Sequence, residues 1–296
     1  MHRTATTTPP VTQLAGLIKL MRPRQWIKNA FVLAPLIFSG EFVRLESVGA
    51  SLRAMLLFCI ASSLTYVFND ICDVERDRRH PVKSRTRPLA SGKVPMSWAI
   101  ALASVLLGVL IIGSLAAPAC SLVIAAYLLL NIAYSVVLKH QPVVDIFTIA
   151  IGFVLRVVAG AVALHVPVSS WMFITTLCLA LYLASIKRRQ ELGSNGTGGR
   201  KVLDAYSISL IDRYAGLSAM GALLFYSLYV LSARPALAAT VPLVLFGLFR
   251  YWFLVESQND GESPTEALLG DWQLLATVAV WTVACLWALW PRVGLP

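Results

Sequence analysis

The chain has 296 residues, of which 57% are hydrophobic and only 14% are charged, and its mean hydropathy is +0.72. A typical soluble domain has about 45–50% apolar and 25% charged residues, so this composition excludes a soluble globular enzyme and a disordered chain. The five cysteines lack the spacing of metal ligands and lie mostly in apolar runs, which excludes a secreted domain held by disulfides. The sequence therefore predicts an integral membrane protein.

Nine apolar stretches approach the length of roughly 20 residues that a membrane-spanning helix requires. They are 26–40, 48–68, 95–114, 118–138, 143–164, 171–186, 214–232, 236–254 and 272–290. The strand-like alternation and aromatic girdles of a transmembrane barrel are absent from the sequence. The predicted fold is an all-α integral membrane bundle of nine transmembrane helices. Residues 1–18, rich in Thr and Pro, are expected to form a disordered tail, and residues 19–296 a single transmembrane catalytic domain.

The distribution of positive charge predicts how this bundle is oriented. If the N-terminus is cytoplasmic, 20 of the 25 Lys and Arg residues fall in the tail and the inward loops, and 4 fall in the outward loops. Cytoplasmic loops carry an excess of Lys and Arg, so the N-terminus and the polar loops 69–94, 187–213 and 255–271 are predicted on the cytoplasmic side of the inner (plasma) membrane. The asymmetry also explains the net charge of +10 without a nucleic-acid partner.

The first inward loop begins with four oxygen-bearing side chains on one face of a predicted helix. At about 100° per residue they lie close together over two turns. Carboxylates that converge at a membrane boundary repel one another and are costly without a partner, and Mg²⁺ binds such groups together with substrate phosphates. The predicted magnesium ligands are Asn69, Asp70, Asp73 and Asp77. The alternative is a solvated acidic helix end, paired with Arg76, Arg78 and Arg79.

Two groups of cations follow in the inward loops. Lys83, Arg85 and Arg87 follow the acidic residues, and a metal site beside Lys and Arg suits a metal–diphosphate complex. Lys187 and Arg188 begin the second loop, where anchoring of the helix end at the membrane surface is an alternative explanation. One acidic loop and one cationic loop together favour a reaction between two phosphorylated substrates, one bound to metal and one held by Lys and Arg.

Polar residues also occur within two predicted spans. Asp145 and Arg156 are eleven residues apart and share a helix face, and Arg156 lies well inside the hydrocarbon layer. An ionisable group at that depth is functional by default, so Arg156 either pairs with a carboxylate or contacts an anionic substrate. Tyr127, Asn131 and Tyr134 form a stripe on the preceding span, for which hydrogen bonding between helices is the favoured role.

The pattern Asn-Asp-x-x-Asp-x-x-x-Asp at the end of the second of nine spans, followed by Arg-Pro-Leu-Ala-Ser-Gly, resembles the UbiA-type prenyltransferase superfamily. The stretches 22–29, 138–141 and 187–192 are more similar to its decaprenyl-phosphate phosphoribosyltransferase branch. The resemblance covers most of the chain. It implies Mg²⁺-dependent transfer of 5-phosphoribosyl from 5-phosphoribosyl 1-diphosphate (PRPP) to a polyprenyl (decaprenyl) phosphate, for cell-wall arabinogalactan precursors. It leaves open whether the protein forms a homo-oligomer.

The resemblance also implies roles for individual residues. Catalytic roles fall to Asp73, Asp77 and Lys187. Substrate binding falls to Lys28, Tyr66, Lys83, Arg85, Arg87, Lys139, Arg156, Arg188, Glu191 and Tyr206. The diphosphate would leave the ribose carbon with oxocarbenium character, and the lipid phosphate, already an anion, would attack it. No strong general base is required, which agrees with the absence of a Ser/His/Asp or Cys/His arrangement from the sequence.

Three other classes of protein are weighed against this one. An aromatic-acceptor prenyltransferase has the same fold and uses a polyprenyl diphosphate donor, but it needs a second acidic motif. Here only Asp204 and Asp212 follow the sixth span, eight residues apart. A CDP-alcohol phosphotransferase needs a motif that opens with Asp-Gly, which is absent from the spaced aspartates. A transporter or channel would carry its charges at mid-membrane in interrupted helices, whereas these cluster at one face.

Overall fold

The computed structural model describes residues 10–79, 81–195, 201–257 and 264–290, and nearly all of them are helical. The α-helices are α1 (Pro10–Met21), α2 (Ala34–Ser39), α3 (Leu45–Cys72), α4 (Val74–Arg79), α5 (Lys83–Thr86), α6 (Met96–Ala116), α7 (Pro118–Val136), α8 (Val144–Ala163), α9 (Ser170–Asn195), α10 (Ile208–Ala233), α11 (Val241–Ser257), α12 (Pro264–Gly270) and α13 (Trp272–Ala288). Short 3-10 helices are Pro23–Leu33, Glu41–Val43, Leu138–His140, Lys201–Ala205 and Pro235–Thr240. The all-helical prediction is confirmed.

Seven of the predicted spans correspond to helices that are long and apolar enough to cross a membrane. They are α3, α6, α7, α8, α9, α10 and the continuous segment Pro235–Ser257. The predicted first span, 26–40, is instead the 3-10 helix Pro23–Leu33 followed by the six-residue α2, because Pro35 lacks the N–H that would continue the helical bonding. The predicted last span is the 17-residue α13. The count of nine crossings therefore stays a prediction.

The N-terminal segment differs from the predicted disordered tail. Residues 1–9 lie outside the described part of the chain, but residues 10–18 belong to α1. The helix packs because Leu20 is fully buried against Val67, Val74 and Val94. Gly16 of this helix lies so close to Val94 that an added Cβ would be 2.5 Å from a Val94 methyl group. Burial of this apolar side offsets the conformational entropy that the tail loses on folding.

Helix α8 is the centre of the bundle and carries the close contact that positions the site. It packs against α3, α7, α9 and the 3-10 helix Pro23–Leu33. At Gly160 an added Cβ would lie 1.9 Å from the carbonyl oxygen of Val32. Only glycine permits this approach, which holds the 3-10 helix and its Lys28 and Asn29 against α8. Large apolar side chains such as Leu122 and Leu129 are exposed on the outer helices, as expected for a surface in contact with lipid.

We expect Gly160→Ala to separate the 3-10 helix from α8, because the new methyl group meets a backbone carbonyl that no side-chain rotation can move. Overpacking of this kind costs about 1–3 kcal/mol. The purified protein in detergent should therefore unfold at a lower temperature. Gly108→Ala on α6 is the matched control, since nothing lies within 4 Å of its added Cβ. Equal melting temperatures for the two variants would contradict the close contact.

Candidate active site

A cavity of about 150 Å³ lies between the 3-10 helix Pro23–Leu33 and helices α3, α7, α8 and α9. Three cationic side chains line it: Lys28, Arg156 and Lys187. Its other lining residues are Tyr66, Tyr127, Leu130, Asn131, Tyr134, Thr148, Ile149, Gly152, Phe153, Leu183 and Ala184. Within the described part of the chain, the lining includes no Asp or Glu. Convergent cations in a largely apolar cleft favour an anionic ligand.

Arg156 is buried in α8, and neutral groups hold its guanidinium. Its Nε donates to Asn29 Oδ1 at 2.8 Å, its Nη1 to the Gly152 carbonyl at 2.7 Å and its Nη2 to the Tyr127 hydroxyl at 3.1 Å. The ring of Phe153 lies 5.2 Å from the guanidinium carbon. Asp145, the carboxylate on the same helix, bonds to Arg188 instead. Pairing of Arg156 with a carboxylate is therefore not observed among the described residues, and contact with an anionic ligand is favoured.

Lys28 lies on the 3-10 helix, outside the seven long helices, and it is half-buried at the cavity. Burial, with the nearby positive charges of Lys187 and Arg156, lowers the pKa of Lys28 to about 7. Desolvation and like charges both disfavour the protonated amine. An anion bound among these three side chains would restore the charge of Lys28.

The acidic segment does not form the continuous helix that the sequence analysis assumes. Helix α3 ends at Cys72, Asp73 adopts φ −94° and ψ 2°, and α4 begins at Val74. An oxygen of Asp73 lies 3.8 Å from Lys139 Nζ, and its other oxygen accepts a hydrogen bond from Arg76 at 2.5 Å. An oxygen of Asp77 lies 3.8 Å from Lys83 Nζ. Each carboxylate therefore has a cation beside it.

The other two predicted magnesium ligands make close bonds elsewhere. Buried Asp70 accepts from Arg22 Nη2 at 2.6 Å and also from Arg87, both on Oδ1. Asn69 Oδ1 accepts from the Ser135 hydroxyl at 2.6 Å. Consequently the described residues include no group of three or more His, Cys, Asp or Glu side chains placed to share an ion. The structure therefore does not bring all four predicted ligands together, because Arg22 and Arg87 pair with Asp70 and Ser135 bonds to Asn69.

Arg22 is a site residue that the sequence analysis does not identify. It carries φ 53° and ψ 60°, uncommon for a residue other than glycine, and its guanidinium carbon lies 4.6 Å from the centre of the Tyr66 ring. In the sequence, the feature that could have indicated Arg22 is the cluster of Lys19, Arg22, Arg24 and Lys28 around Trp26. The same cluster is also typical of an anchor in the headgroup layer of the membrane.

The second cationic loop divides into two parts in the structure. Lys187 lines the cavity, whereas Arg188 is fully buried outside the lining. Arg188 donates to Asp145 at 2.5 Å, to Glu191 and to the Tyr134 hydroxyl at 2.8 Å. Arg188, predicted to hold a phosphate, and Glu191, predicted to bind substrate, thus bond to each other, and their contacts do not support these two roles.

The remaining predicted residues are placed as follows. The Tyr206 hydroxyl donates to Asp145 at 2.7 Å, away from the cavity lining. Arg85 is exposed on α5. Tyr127 and Tyr134 bond to arginines of α8 and α9, which are the expected hydrogen bonds between helices, while Asn131 donates to the Tyr127 carbonyl of its own helix.

Residues 32–269 match the profile of the UbiA prenyltransferase family. A decaprenyl-phosphate phosphoribosyltransferase of Mycobacterium tuberculosis is 35% identical, with 96% of this chain and 98% of that protein covered. A protein of the same name from Mycolicibacterium smegmatis is 39% identical over 77% of this chain and 74% of its own. A solved UbiA homologue from Archaeoglobus fulgidus, bound to GPP and Mg²⁺, superimposes with a TM-score of 0.69. It is 18% identical, and the match covers 93% of this chain and 99% of that one.

We expect the cavity to bind sulfate with an affinity that falls as the pH rises from 6 to 9. Because burial lowers the pKa of Lys28 to about 7, a growing fraction of the free protein holds a neutral amine as the pH rises, and this amine must take up a proton before it can pair with the anion. The decrease should be about tenfold, corresponding to roughly one unit of pKa change on binding. Sulfate stays fully ionised over this range, so calorimetric titration reports the protein. Lys28→Met is expected to flatten the profile, and an unchanged slope in that variant would contradict the assignment.

Proposed function

The chain belongs to the UbiA prenyltransferase family, and we propose that it transfers the 5-phosphoribosyl group of PRPP to a polyprenyl phosphate such as decaprenyl phosphate, releasing diphosphate. The observation that carries the proposal is the division of the site into an acidic segment, Asp73 and Asp77, and a separate cavity lined by cations. This division suits a reaction between two phosphorylated substrates, one bound through a metal ion and the other held by positive side chains.

The acidic segment fits one magnesium ion through two carboxylates rather than four ligands. Asp73 and Asp77 lie one helical turn apart, and the lysine nitrogens beside them are 3.8 Å away, beyond close hydrogen-bond distance. Arg76 does bond to one oxygen of Asp73, but it is exposed, and exposed ion pairs contribute little free energy. Mg²⁺ is usually bound through one or two carboxylates together with substrate phosphates and water. We assign Mg²⁺ to Asp73 and Asp77, and we assign Asp70 to holding Arg22 and Arg87.

In the proposed reaction the bond between the ribose anomeric carbon and the diphosphate oxygen breaks, and an oxygen of the lipid phosphate forms the new bond. When bound, Mg²⁺ supplies Lewis-acid stabilisation of the negative charge that develops on the leaving diphosphate. Lys83 and Lys139, each next to one of the two carboxylates, are placed to donate hydrogen bonds to that diphosphate. The lipid phosphate is already ionised at neutral pH, so no side chain has to remove a proton.

The cavity accounts for a phosphate that is not bound to metal. We assign this phosphate, either the ribose 5-phosphate or the lipid headgroup, to Lys28, Arg156 and Lys187. Charge-assisted hydrogen bonds to phosphate are about twice as strong as neutral ones, and the buried guanidinium is held in a fixed orientation by Asn29 and Gly152.

The proposal includes the orientation of the protein. The acidic segment, the connector before α8 and the end of α9 lie at one end of the bundle, joined by the Asp73–Lys139 and Arg188–Asp145 contacts. We place this end on the cytoplasmic side of the plasma membrane, where the excess of Lys and Arg predicts it. PRPP is soluble, so this orientation gives it access from the cytosol.

Incubation of the purified protein with labelled PRPP, polyprenyl phosphate and Mg²⁺ should yield lipid-linked phosphoribose. Asp73→Asn and Asp77→Asn should each lower kcat about 100-fold or more, since each removes a carboxylate that would hold the Mg²⁺ stabilising the leaving diphosphate, and loss of one such stabilising contact has an effect of that order in other enzymes. Glu75→Gln is the matched control, because Glu75 lies on the same segment, is exposed and pairs only with Arg78 among the described residues.

The same assay, run with polyprenyl diphosphate and 4-hydroxybenzoate, tests the alternative that the protein is an aromatic-acceptor prenyltransferase. A protein that makes no lipid-linked phosphoribose, yet attaches a prenyl chain from polyprenyl diphosphate to 4-hydroxybenzoate, would contradict the proposed function. Equal turnover of Glu75→Gln and Asp73→Asn would contradict the assignment of the metal ion while leaving the reaction in place. Chelation by EDTA should abolish product formation, and added Mg²⁺ should restore it.

A further inference from the structure

We infer that Tyr206, Asp145 and Arg188 form a positioning device that holds a strained turn before α8 and, through it, two lysines of the site. The inference rests on the proposed function, since it assigns to positioning two residues that the sequence predicts to bind substrate, Tyr206 and Arg188. Neither residue lines the cavity, and each bonds to Asp145.

The turn at Val143 has a backbone conformation that a valine rarely adopts. Its φ is 70° and its ψ is −49°, and the Val144 N–H donates to the Pro142 carbonyl at 2.8 Å, which closes a γ-turn. For a β-branched residue a positive φ is strained by contact between its side chain and the backbone. Such a conformation persists only where surrounding contacts hold it, and it is often found at functional sites.

Tyr206 supplies a contact that holds the turn. Its hydroxyl accepts the Val143 N–H at 2.6 Å and donates to Asp145 Oδ1 at 2.7 Å, so one phenol bridges the strained residue and the first turn of α8. Burial, together with the hydrogen bond to Asp145, raises the pKa of Tyr206, so the phenol keeps the proton that it donates. Tyr206 follows the 3-10 helix Lys201–Ala205, which is thereby joined to the start of α8.

Arg188 extends the same network toward the cavity. It donates to the second oxygen of Asp145, and both side chains are fully excluded from solvent. Its Nη2 also donates to the Tyr134 hydroxyl. Tyr134 and Lys187, the residue directly before Arg188, both line the cavity. The position of the Asp145 carboxylate therefore affects the placement of two lining residues.

The turn also affects the acidic side of the site. Lys139 lies four residues before Val143 on the short connector between α7 and α8, and its Nζ is 3.8 Å from Asp73. A connector this short transmits a change at its last residue to the rest of its length. One network thus sets the place of Lys139 beside the acidic segment and of Lys187 in the cavity, although none of its three members lines the cavity.

The first test is Tyr206→Phe, which removes both hydrogen bonds but keeps the ring. We expect KM for PRPP to rise and sulfate affinity to fall, each about tenfold, the effect of a free-energy change of the size of one buried hydrogen bond. Tyr226→Phe is the matched control. Its buried hydroxyl shares a hydrogen bond with Thr240 and accepts one from Trp281, in a cluster remote from the cavity, so the kinetics of this variant should be unchanged.

The second test separates positioning from a general contribution to stability. Glycine adopts a positive φ without steric strain, so a Val143→Gly protein keeps the γ-turn without the anchor. In that background, adding Tyr206→Phe should change KM and sulfate affinity by no more than about twofold, a rescue that the loss of two ordinary core hydrogen bonds would not show. Melting temperatures of all variants are measured alongside, in detergent and without ligand.

Equal effects of Tyr206→Phe in the wild-type and Val143→Gly backgrounds would overturn the inference, as would unchanged KM and sulfate affinity in Tyr206→Phe alone. Sulfate binding requires no turnover, so this arm decides the inference even if the wild-type protein shows no phosphoribosyl transfer. That last outcome would contradict the proposed function and not the positioning device.

Discussion

A charged side chain among apolar helices is costly unless hydrogen bonds and an opposite charge compensate it, and this constraint organises the interior of the bundle. Arg188 and Asp145 form an ion pair that is excluded from solvent, and Glu191, Tyr134 and Tyr206 complete their hydrogen bonds. Arg156 is compensated only by amide, carbonyl and hydroxyl oxygens, with no carboxylate bonded to it among the described residues. The positive charge of Arg156, which no carboxylate balances among the described residues, therefore lies at the cavity. The two buried arginines thus have opposite roles, Arg188 in holding the protein together and Arg156 in attracting a ligand.

The acidic segment follows the same rule with a different result. Asp70, Asp73 and Asp77 are each matched by cations from other segments of the chain, from Arg22 at the N-terminus to Lys139 before α8. Such pairs hold loops together in the absence of substrate. These pairs also supply the two kinds of group that bind a metal–diphosphate complex. Carboxylate oxygens bind the metal ion, and positively charged side chains bind the phosphates. Binding would exchange partners within the site rather than expose new charges.

The fold was largely predictable, because the length of an apolar run and the position of charge depend on neighbouring residues in the sequence. The seven long helices and the location of charge at helix ends follow from these patterns. Contacts between distant segments of the chain cannot be read from these local patterns. Helical periodicity placed four ligands on one face, but it could not show that Arg22 and Arg87 bind Asp70, or that α3 ends at Cys72. The charge of Arg188 indicated a phosphate ligand until the structure placed Asp145 beside it.

The size of the cavity bears on which lipids the protein can tell apart. At about 150 Å³ it accommodates a phosphate and part of a sugar, but not a chain of many isoprene units. A long tail would have to lie along the outer faces of the helices, where apolar side chains such as Leu122 and Leu129 are exposed. This cavity therefore does not measure the length of a polyprenyl chain. At this cavity, selection among polyprenyl phosphates would depend on the phosphate headgroup and the first few isoprene units of the chain. The length of the chain in the product would then be set by the lipid that the membrane supplies.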